Sequence, residues 1–345
     1  MKENSMSEAE KPEKKSWFYR MLPALTLLVM APLIAELLPG ATRVSSAFVF
    51  PIEMLIWGSG AVFARYFVRR FRLGGFNLVL LAVALSMAEE LLIQQTSFAS
   101  LVVKLKGVEY ARAFGFNYVY FIWAVLYEAI FVMLIPVALC EMIFPKRRAE
   151  SWLNIQGMIP LLVLFLPACY AAWYGWNMVA RPMAFHLPPY VLPVNLAVTG
   201  AVALAAVLLL ALGPARRILA TPAKSLTPPH PVVLAVLGVL TSATIFGLLA
   251  LALGIAPQIP PAVPVAAGLG LAVVMLAFVP RWLASPSWTT GHMIAMTYSM
   301  VWGNCALMFL AFQDGGFDFY GKVVLDVLGA LLMIWLAVHA LRKKV

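Results

Sequence analysis

Charge, cysteine and histidine are scarce in this sequence, and each scarcity closes off a class of protein. Only 12% of the 345 residues are charged, about half the share found in a soluble domain. That is too few to cover a solvated surface of this size. The three cysteines, Cys140, Cys169 and Cys305, all fall in long apolar runs. They form no disulfide framework and no paired metal spacing. The four histidines, His186, His230, His292 and His339, lie far apart. No N-x-[ST] acceptor is present. Acidic residues run out along the chain: every glutamate lies at or before Glu150, and only Asp314, Asp318 and Asp326 follow.

What the sequence has is apolar length. Hydrophobic residues make up 63% and mean hydropathy is +0.90. Lipid is the solvent that suits such a chain. Only helices and closed barrels keep every backbone polar group bonded in hydrocarbon. The runs are unbroken rather than alternating, which excludes a barrel. A helical span needs about 20 apolar residues. The sequence predicts an all-α polytopic bundle with ten spans: 21–38, 47–66, 76–93, 118–144, 153–179, 191–212, 232–253, 263–279, 292–312 and 320–341. Glu36 and the length of the first run argue for a retained anchor rather than a cleaved signal peptide.

The formal net charge is +10. The positive-inside rule accounts for it without nucleic acid. With the N-terminus in the cytoplasm, 18 Lys and Arg fall in inside segments. Six fall outside: Arg43, Lys104, Lys106, Arg112, Arg181 and Lys322. The alternation holds loop by loop, so both termini are expected in the cytoplasm.

Residues 1–17 are polar and read as a disordered cytoplasmic tail. Residues 18–150 form a four-span acidic module, and 151–345 a six-span apolar scaffold. No inverted repeat relates the halves. The longest internal loop, 94–117, faces outside. Phe98, Leu101, Val102 and Leu105 recur there at helical spacing, which predicts a short interfacial helix over Phe98–Leu105. Lys104, Lys106 and Arg112 lie off that stripe. They oppose the positive-inside rule, so acidic partners at the cavity mouth beneath them are expected.

Six carboxylates fall inside spans: Glu36, Glu53, Glu89, Glu90, Glu128 and Asp326. Each costs about 2.5–3.5 kcal/mol at a helix centre on insertion scales. With the stated orientation all six lie in the outer half of the bilayer. Glu128 is the deepest of the four-span module, about 10–15 Å below the start of its helix at 1.5 Å per residue. Scattered, independently tolerated charges would not sort to one depth. Tyr118, Tyr120, Trp123 and Tyr127 form an aromatic collar beside them. Neutralising several carboxylates takes protons, a metal or a cationic ligand. A zinc site wants His or Cys beside the carboxylates, and only His186 lies on the outer side. His292, Met293, Met296 and Met300 are copper-type ligands. However, His292 opens its helix on the inner side, so no metal site is read there. On the inner side, Arg65, Arg69, Arg70 and Arg72 form a basic segment suited to anionic lipid headgroups, with Arg65 snorkelling inward.

The first four spans resemble a widespread group of bacterial polytopic inner-membrane proteins without an assigned activity. The residues are Ala31-Pro32, Glu36-Leu-Leu-Pro-Gly40, Trp57-Gly-Ser-Gly-Ala61, the Arg65 to Arg72 cluster and Glu89-Glu90, about a third of the chain. The resemblance implies a multi-pass protein of the bacterial inner membrane and no particular chemistry. The glutamate pair is also similar to that of the CAAX-protease and bacteriocin-processing family of intramembrane proteases. That resemblance implies a hydrolase with Glu89, Glu90 and Glu128 as acid–base groups. The family carries an arginine four residues after its second glutamate and histidines in later helices. This chain has Gln94 at that spacing, and Glu128 in the fourth span.

The reading is therefore a carboxylate-lined cavity, open to the outside, that binds or translocates a cation or small solute. An intramembrane hydrolase and a membrane scaffold are the alternatives. No cofactor is indicated.

Overall fold

A computed structural model describes residues 17–219, 224–312 and 315–342. Ten of its helices are long and apolar enough to cross a membrane: Phe18–Leu37, Val44–Arg70, Gly75–Ile93, Tyr118–Ile143, Ile155–Met183, Val194–Leu212, Pro231–Ala252, Ala262–Leu283, Thr290–Ala311 and Phe317–Arg342. They are spans 1 to 10 below. The chain is a multi-pass helical membrane protein. All but the last residue of the expected tail lies outside the described residues, as do Asp314, Lys343 and Lys344.

Ten crossings return the chain to the side on which it starts. That side is called terminal here, and the opposite side distal. The distal side is the one that the basic residues assign to the outside.

Span boundaries follow local chemistry. Asn117 caps span 4, accepting from the Tyr120 N–H at 2.9 Å. Asn154 caps span 5, accepting from the Gly157 N–H at 3.0 Å. Pro231 opens span 7 at a position where its missing N–H costs nothing. Such caps satisfy donors that a helix start leaves open.

Spans 1, 2 and 4 form the centre of the bundle, with Leu27, Ala31, Ile56, Ala61, Phe131 and Met133 fully or almost fully enclosed. Small residues let the backbones approach, as lipid-embedded helices require. A Cβ placed on Gly58 would lie 2.1 Å from the Leu28 carbonyl oxygen. Spans 7 and 9 pack closely by the same device. A Cβ on Gly238 would meet Ser299 Oγ at 1.9 Å, and Ser242 Oγ donates to the Met300 carbonyl at 2.7 Å. Span 10 lies at the edge, with only 6% of its apolar window buried.

Among the described residues the only strands are two short ones in the loop before span 4. Arg112–Ala113 pairs antiparallel with Phe116–Asn117.

Candidate functional site

The inner four spans are not regular α-helices. Each contains a π-helical turn: Leu33–Leu37 in span 1, Met54–Gly58 in span 2, Glu89–Ile93 in span 3 and Glu128–Leu134 in span 4. Span 5 has one as well, Gly175–Ala180. The hydrogen bonds identify them. Leu38 N–H donates to Leu33 O at 2.9 Å, and Gln94 N–H to Glu89 O at 2.9 Å, both i to i+5. A π-turn inserts one extra residue into the helix and re-aims the side chains around it.

The five intramembrane glutamates of the module each sit in or against one of these turns. Glu36, Glu89, Glu90 and Glu128 lie inside them, and Glu53 immediately precedes the second. The π-turn of span 4 packs against those of spans 1 and 2, and against the helix of span 3. That packing brings the five glutamates together. Glu36 interacts electrostatically with Glu53 and Glu89. Glu89 interacts with Glu90 and Glu53, and Glu128 with Glu90, Glu89 and Glu36.

Three of the turns have a cause that can be read from sequence. The residue closing the turn is followed by proline in spans 1, 4 and 5: Leu38-Pro39, Ile135-Pro136 and Arg181-Pro182. Proline has no N–H, and its ring clashes with the carbonyl four residues earlier. Widening the preceding turn relieves that clash. Acidic residue and downstream proline together were a legible signal that the spacing of apolar residues alone does not carry.

The site is short of donors. Glu53, Glu89 and Glu90 are 6%, 1% and 4% exposed, and among the described residues none of the five is in a salt bridge. Hydroxyls supply what hydrogen bonds there are. Thr42 Oγ1 donates to Glu53 Oε1 and also lies within hydrogen-bond reach of Glu36. Ser97 Oγ donates to Glu90 Oε2 at 2.6 Å, and Ser86, whose Oγ donates to the Ala82 carbonyl at 3.1 Å, lies beside Glu128. Both oxygens of Glu89 are buried without a partner, as are one of Glu53 and one of Glu128. Thr42, Ser86 and Ser97 are site residues that reading the sequence for charge did not find. Isolated hydroxyls in or beside apolar runs carry no distinguishing pattern.

Tyr127 and its neighbours stand against the cluster. Rings of Tyr120, Trp123, Tyr127 and Phe131 follow one another along span 4 with centroids 5.0, 5.4 and 5.0 Å apart. The Tyr127 hydroxyl donates to the Ala35 carbonyl and accepts from Asn304 Nδ2 at 3.3 Å. The residues expected as an interfacial collar thus include one, Tyr127, that is buried.

Asp326 is placed apart. Its Oδ2 pairs with Lys322 Nζ at 2.8 Å, and Lys322, 1% exposed, also donates to the Leu38 carbonyl at 3.4 Å. The bond from Lys322 to Leu38 joins span 10 to the distal end of span 1.

The basic segment divides in two. Arg65 is 1% exposed, and its guanidinium reaches the loop after span 4. Its Nε bonds Glu141 Oε1 at 3.0 Å, and its two other nitrogens bond the Glu150 and Arg148 carbonyls at 2.8 Å each. Its guanidinium stacks on Trp152 at 3.2 Å. Such a bonded, stacked arginine is a structural clamp, and headgroup binding is corrected for this residue. Arg69 shares Glu141 at 2.6 Å. Arg70 and Arg72 are exposed.

The distal loop also departs from expectation. Phe98–Leu105 is not a helix. Residues 95–99 and Leu101 are buried, and the segment is an irregular plug over the distal end of the module. Distant arginines hold it. Arg112 donates to the Phe98 and Ala99 carbonyls, and Arg181 to Ser100 O at 2.9 Å and Ser100 Oγ at 3.0 Å. Lys104 and Arg112 have Glu109, in their own loop, as their acidic partner at 3.8 and 3.7 Å, not the intramembrane glutamates.

Two cavities among the described residues lie away from the cluster: a cleft of about 400 Å³ by Gly213 to Arg217, and an apolar one of about 160 Å³ among spans 7, 8 and 9. Among the described residues no three His, Cys, Asp or Glu side chains converge as a metal-ligand set. Comparison with protein-family models, with curated proteins and with solved structures finds no match to this chain.

Proposed function

We propose that the glutamate cluster of spans 1 to 4 is a site that binds a cation or a small solute, with reversible protonation of the carboxylates, on its way across a bacterial inner membrane. One observation carries the reading. Glu89 is 1% exposed and neither of its oxygens has a partner. A lone ionised carboxylate in such surroundings costs several kcal/mol or more. A side chain kept only for structure would have a cation or hydrogen-bond donors built in beside it, as Asp326 and Glu141 do. A neutralising group that comes and goes fits the arrangement better.

The hydroxyls support proton movement. Thr42 contacts both Glu36 and Glu53, yet a hydroxyl has one proton to give and can only accept in its second contact. A proton on Glu36 or Glu53 would let the Thr42 hydroxyl bridge the two carboxyls. Burial of Glu53, Glu89 and Glu90 in the bundle interior speaks against the scaffold reading, which wants carboxylates on an outer face.

A second reading, an intramembrane hydrolase, draws on one contact. Ser97 Oγ to Glu90 Oε2 at 2.6 Å is the separation of a nucleophile and its base. Among the described residues no group besides Ser97 is seen bonding Glu90 in the orienting role that such pairs use, and the same contact serves simply to solvate the carboxylate.

Dicyclohexylcarbodiimide, which attacks protonated carboxyls from the lipid phase, tests the proposal. Peptide mass mapping should find an adduct on the cluster, absent in Glu89→Gln if Glu89 is the reacting group, and less of it as pH rises. Adducts on Glu109 alone would overturn the reading. Reporter fusions at Pro145 and at the C-terminus should both read cytoplasmic. Either one reading outside would reverse the orientation and the direction of access.

A further inference from the structure

The last turn of span 1 holds a backbone acceptor that its own helix does not serve. Three N–H groups along a helix could reach the Ala35 carbonyl, those of residues 38, 39 and 40. Residue 39 is proline and has none. Leu38 N–H goes to the Leu33 carbonyl at 2.9 Å, and Gly40 N–H to the Glu36 and Leu37 carbonyls at 3.1 and 3.2 Å. Ala35 is fully enclosed, so bulk water does not serve it either. A carbonyl buried without a donor is a cost that folded proteins avoid.

The missing donor comes from another helix. The Tyr127 hydroxyl of span 4 donates to the Ala35 carbonyl. Asn304 Nδ2 of span 9 donates to the oxygen of that hydroxyl at 3.3 Å. A hydroxyl has one proton, and here it is committed to Ala35. The Tyr127 ring is itself held, with Trp123 and Phe131 on either side at 5.4 and 5.0 Å. Span 5 meets the same problem in another way. Pro182 leaves the Asn177 carbonyl without the N–H five residues on, and the Tyr190 N–H, from the stretch before span 6, donates to it at 3.3 Å. That turn, Gly175–Ala180, carries no acidic residue. Only in span 1 is the borrowed donor a side chain of a helix that also carries part of the glutamate cluster.

Resting on the cation-site reading above, we propose that Tyr127 is a positioning residue of the cluster: its hydroxyl stands in for the N–H that Pro39 lacks and holds the turn carrying Glu36 against span 4. Glu36 directly follows Ala35, and Glu128 directly follows Tyr127. One hydrogen bond therefore joins the backbones on which two interacting carboxylates sit. Asn304 brings span 9 into the same tie. Coulomb coupling weakens with separation, so a loosened turn would uncouple Glu36 from the other glutamates.

The test reads that coupling in the purified full-length protein. Carbodiimide labelling of Glu53, Glu89, Glu90 and Glu128 is followed against pH by peptide mass mapping, with Glu36 intact and as Glu36→Gln. In the parent background Glu36→Gln should change the proton affinity of the rest of the cluster, read as the pH of half-maximal labelling, by about threefold or more. In the Tyr127→Phe background the same substitution should change it by less than about half as much on the logarithmic scale. Tyr298→Phe is the control for a bond of the same kind elsewhere. It removes the hydroxyl bond to the Met333 carbonyl at 2.8 Å, between spans 9 and 10, and should lower the apparent Tm while leaving the coupling as in the parent. Asn304→Leu keeps the hydroxyl and removes the donor that orients it. It should show the same loss in smaller measure, and it takes the place of Tyr127→Phe if that variant does not fold. Unchanged coupling in whichever of the two folds overturns the positioning role while the cation site stands. An equal loss in Tyr298→Phe overturns it as well, because any loosening of the bundle would then suffice. A parent protein with no adduct on any of the five glutamates removes the cation-site reading and this role with it.

Discussion

Spans 1 to 4 and spans 5 to 10 meet the bilayer differently. In spans 1 to 4 the share of each apolar window buried inside the protein is 39, 50, 56 and 61%. In spans 5, 6, 8 and 10 it is 11, 11, 11 and 6%, with 28 and 33% for spans 7 and 9. All five clustered glutamates are in the first group, and all but one of the π-turns. The later helices are mostly regular and lean on lipid, which asks nothing of them but apolar side chains. A carboxylate inside hydrocarbon must be enclosed, and enclosure needs neighbours on all sides. The acidic distribution therefore decides which helices become the core. In span 10 the buried Lys322 has an acidic partner, Asp326.

The largest separation of the two regions is expected from added methyl groups. Gly58→Ala forces a Cβ into the Leu28 backbone at 2.1 Å, whereas a Cβ on Gly270 in span 8 meets nothing within 4 Å. Overpacking costs about 1–3 kcal/mol and more where backbone must move. In an open helix position Ala is favoured over Gly by up to about 1 kcal/mol. Thermal denaturation should show Gly58→Ala clearly destabilised and Gly270→Ala equal to the parent or above it. Two variants of equal stability would mean that spans 1 and 2 do not approach as described.

Next in size is the contrast between a paired and an unpaired carboxylate. Asp326→Asn leaves the Lys322 ammonium buried with the Leu38 carbonyl and the Phe309 ring face beside it and should cost about 1–3 kcal/mol, less than a fully buried pair because Asp326 is only partly enclosed. Glu89→Gln keeps the shape and removes a charge that nothing opposes, so its stability should match or exceed that of the parent. Chemical denaturation of both variants at neutral pH gives the signs. If Glu89→Gln is the more damaging of the two, Glu89 has a structural partner and the site loses its main support.

The spans were legible because crossing a bilayer is a property of summed hydropathy over about 20 residues, which local packing does not alter. From sequence, Glu36, Glu53, Glu89, Glu90, Glu128 and Asp326 fall at one depth; the first five interact with one another, and Asp326 pairs with Lys322 instead. The loop was not legible. The spacing of Phe98, Leu101, Val102 and Leu105 suits a helix, but Phe98 and Leu101 are buried in an irregular segment whose carbonyls are taken by Arg112 and Arg181. Arg181 is some eighty residues away in the chain, and no local pattern reveals it. Arg65 was misjudged for the same reason: its partners, Glu141, Trp152 and two carbonyls, lie in the span 4 end and the following loop.

A smaller effect on stability, with a larger one on function, is expected from proline. Pro136 follows the span 4 π-turn that carries Glu128, whereas Pro280 sits in span 8, which is α-helical throughout. Pro136→Ala restores an N–H and removes the clash that favours the wider turn. A collapse to regular α-helix would rotate Glu128 by about 100°, one residue step of a 3.6-residue turn. Carbodiimide labelling of the cluster should change in Pro136→Ala and not in Pro280→Ala, with both proteins as thermally stable as the parent. An unchanged pattern in Pro136→Ala would show that packing, not proline, sets that turn.

The smallest effect is expected in the distal loop, at the two lysines that the sequence made most conspicuous. Lys104 reaches Glu109 at 3.8 Å on an accessible surface, and Lys106 is exposed. Exposed pairs of this kind contribute about 0–1 kcal/mol. Neither lysine has an intramembrane glutamate for an ion-pair partner, so Lys104→Gln with Lys106→Gln should leave cluster labelling and thermal stability as in the parent. Arg112→Gln is the control within the same loop. It gives up the bonds to the Phe98 and Ala99 carbonyls, which no neighbouring donor replaces, and it should loosen the plug enough for a water-soluble carbodiimide to reach Glu90 from the distal side. If the lysine pair changes the cluster and Arg112→Gln does not, the plug is held by surface charge, and the loop acts on the site through electrostatics rather than through backbone geometry.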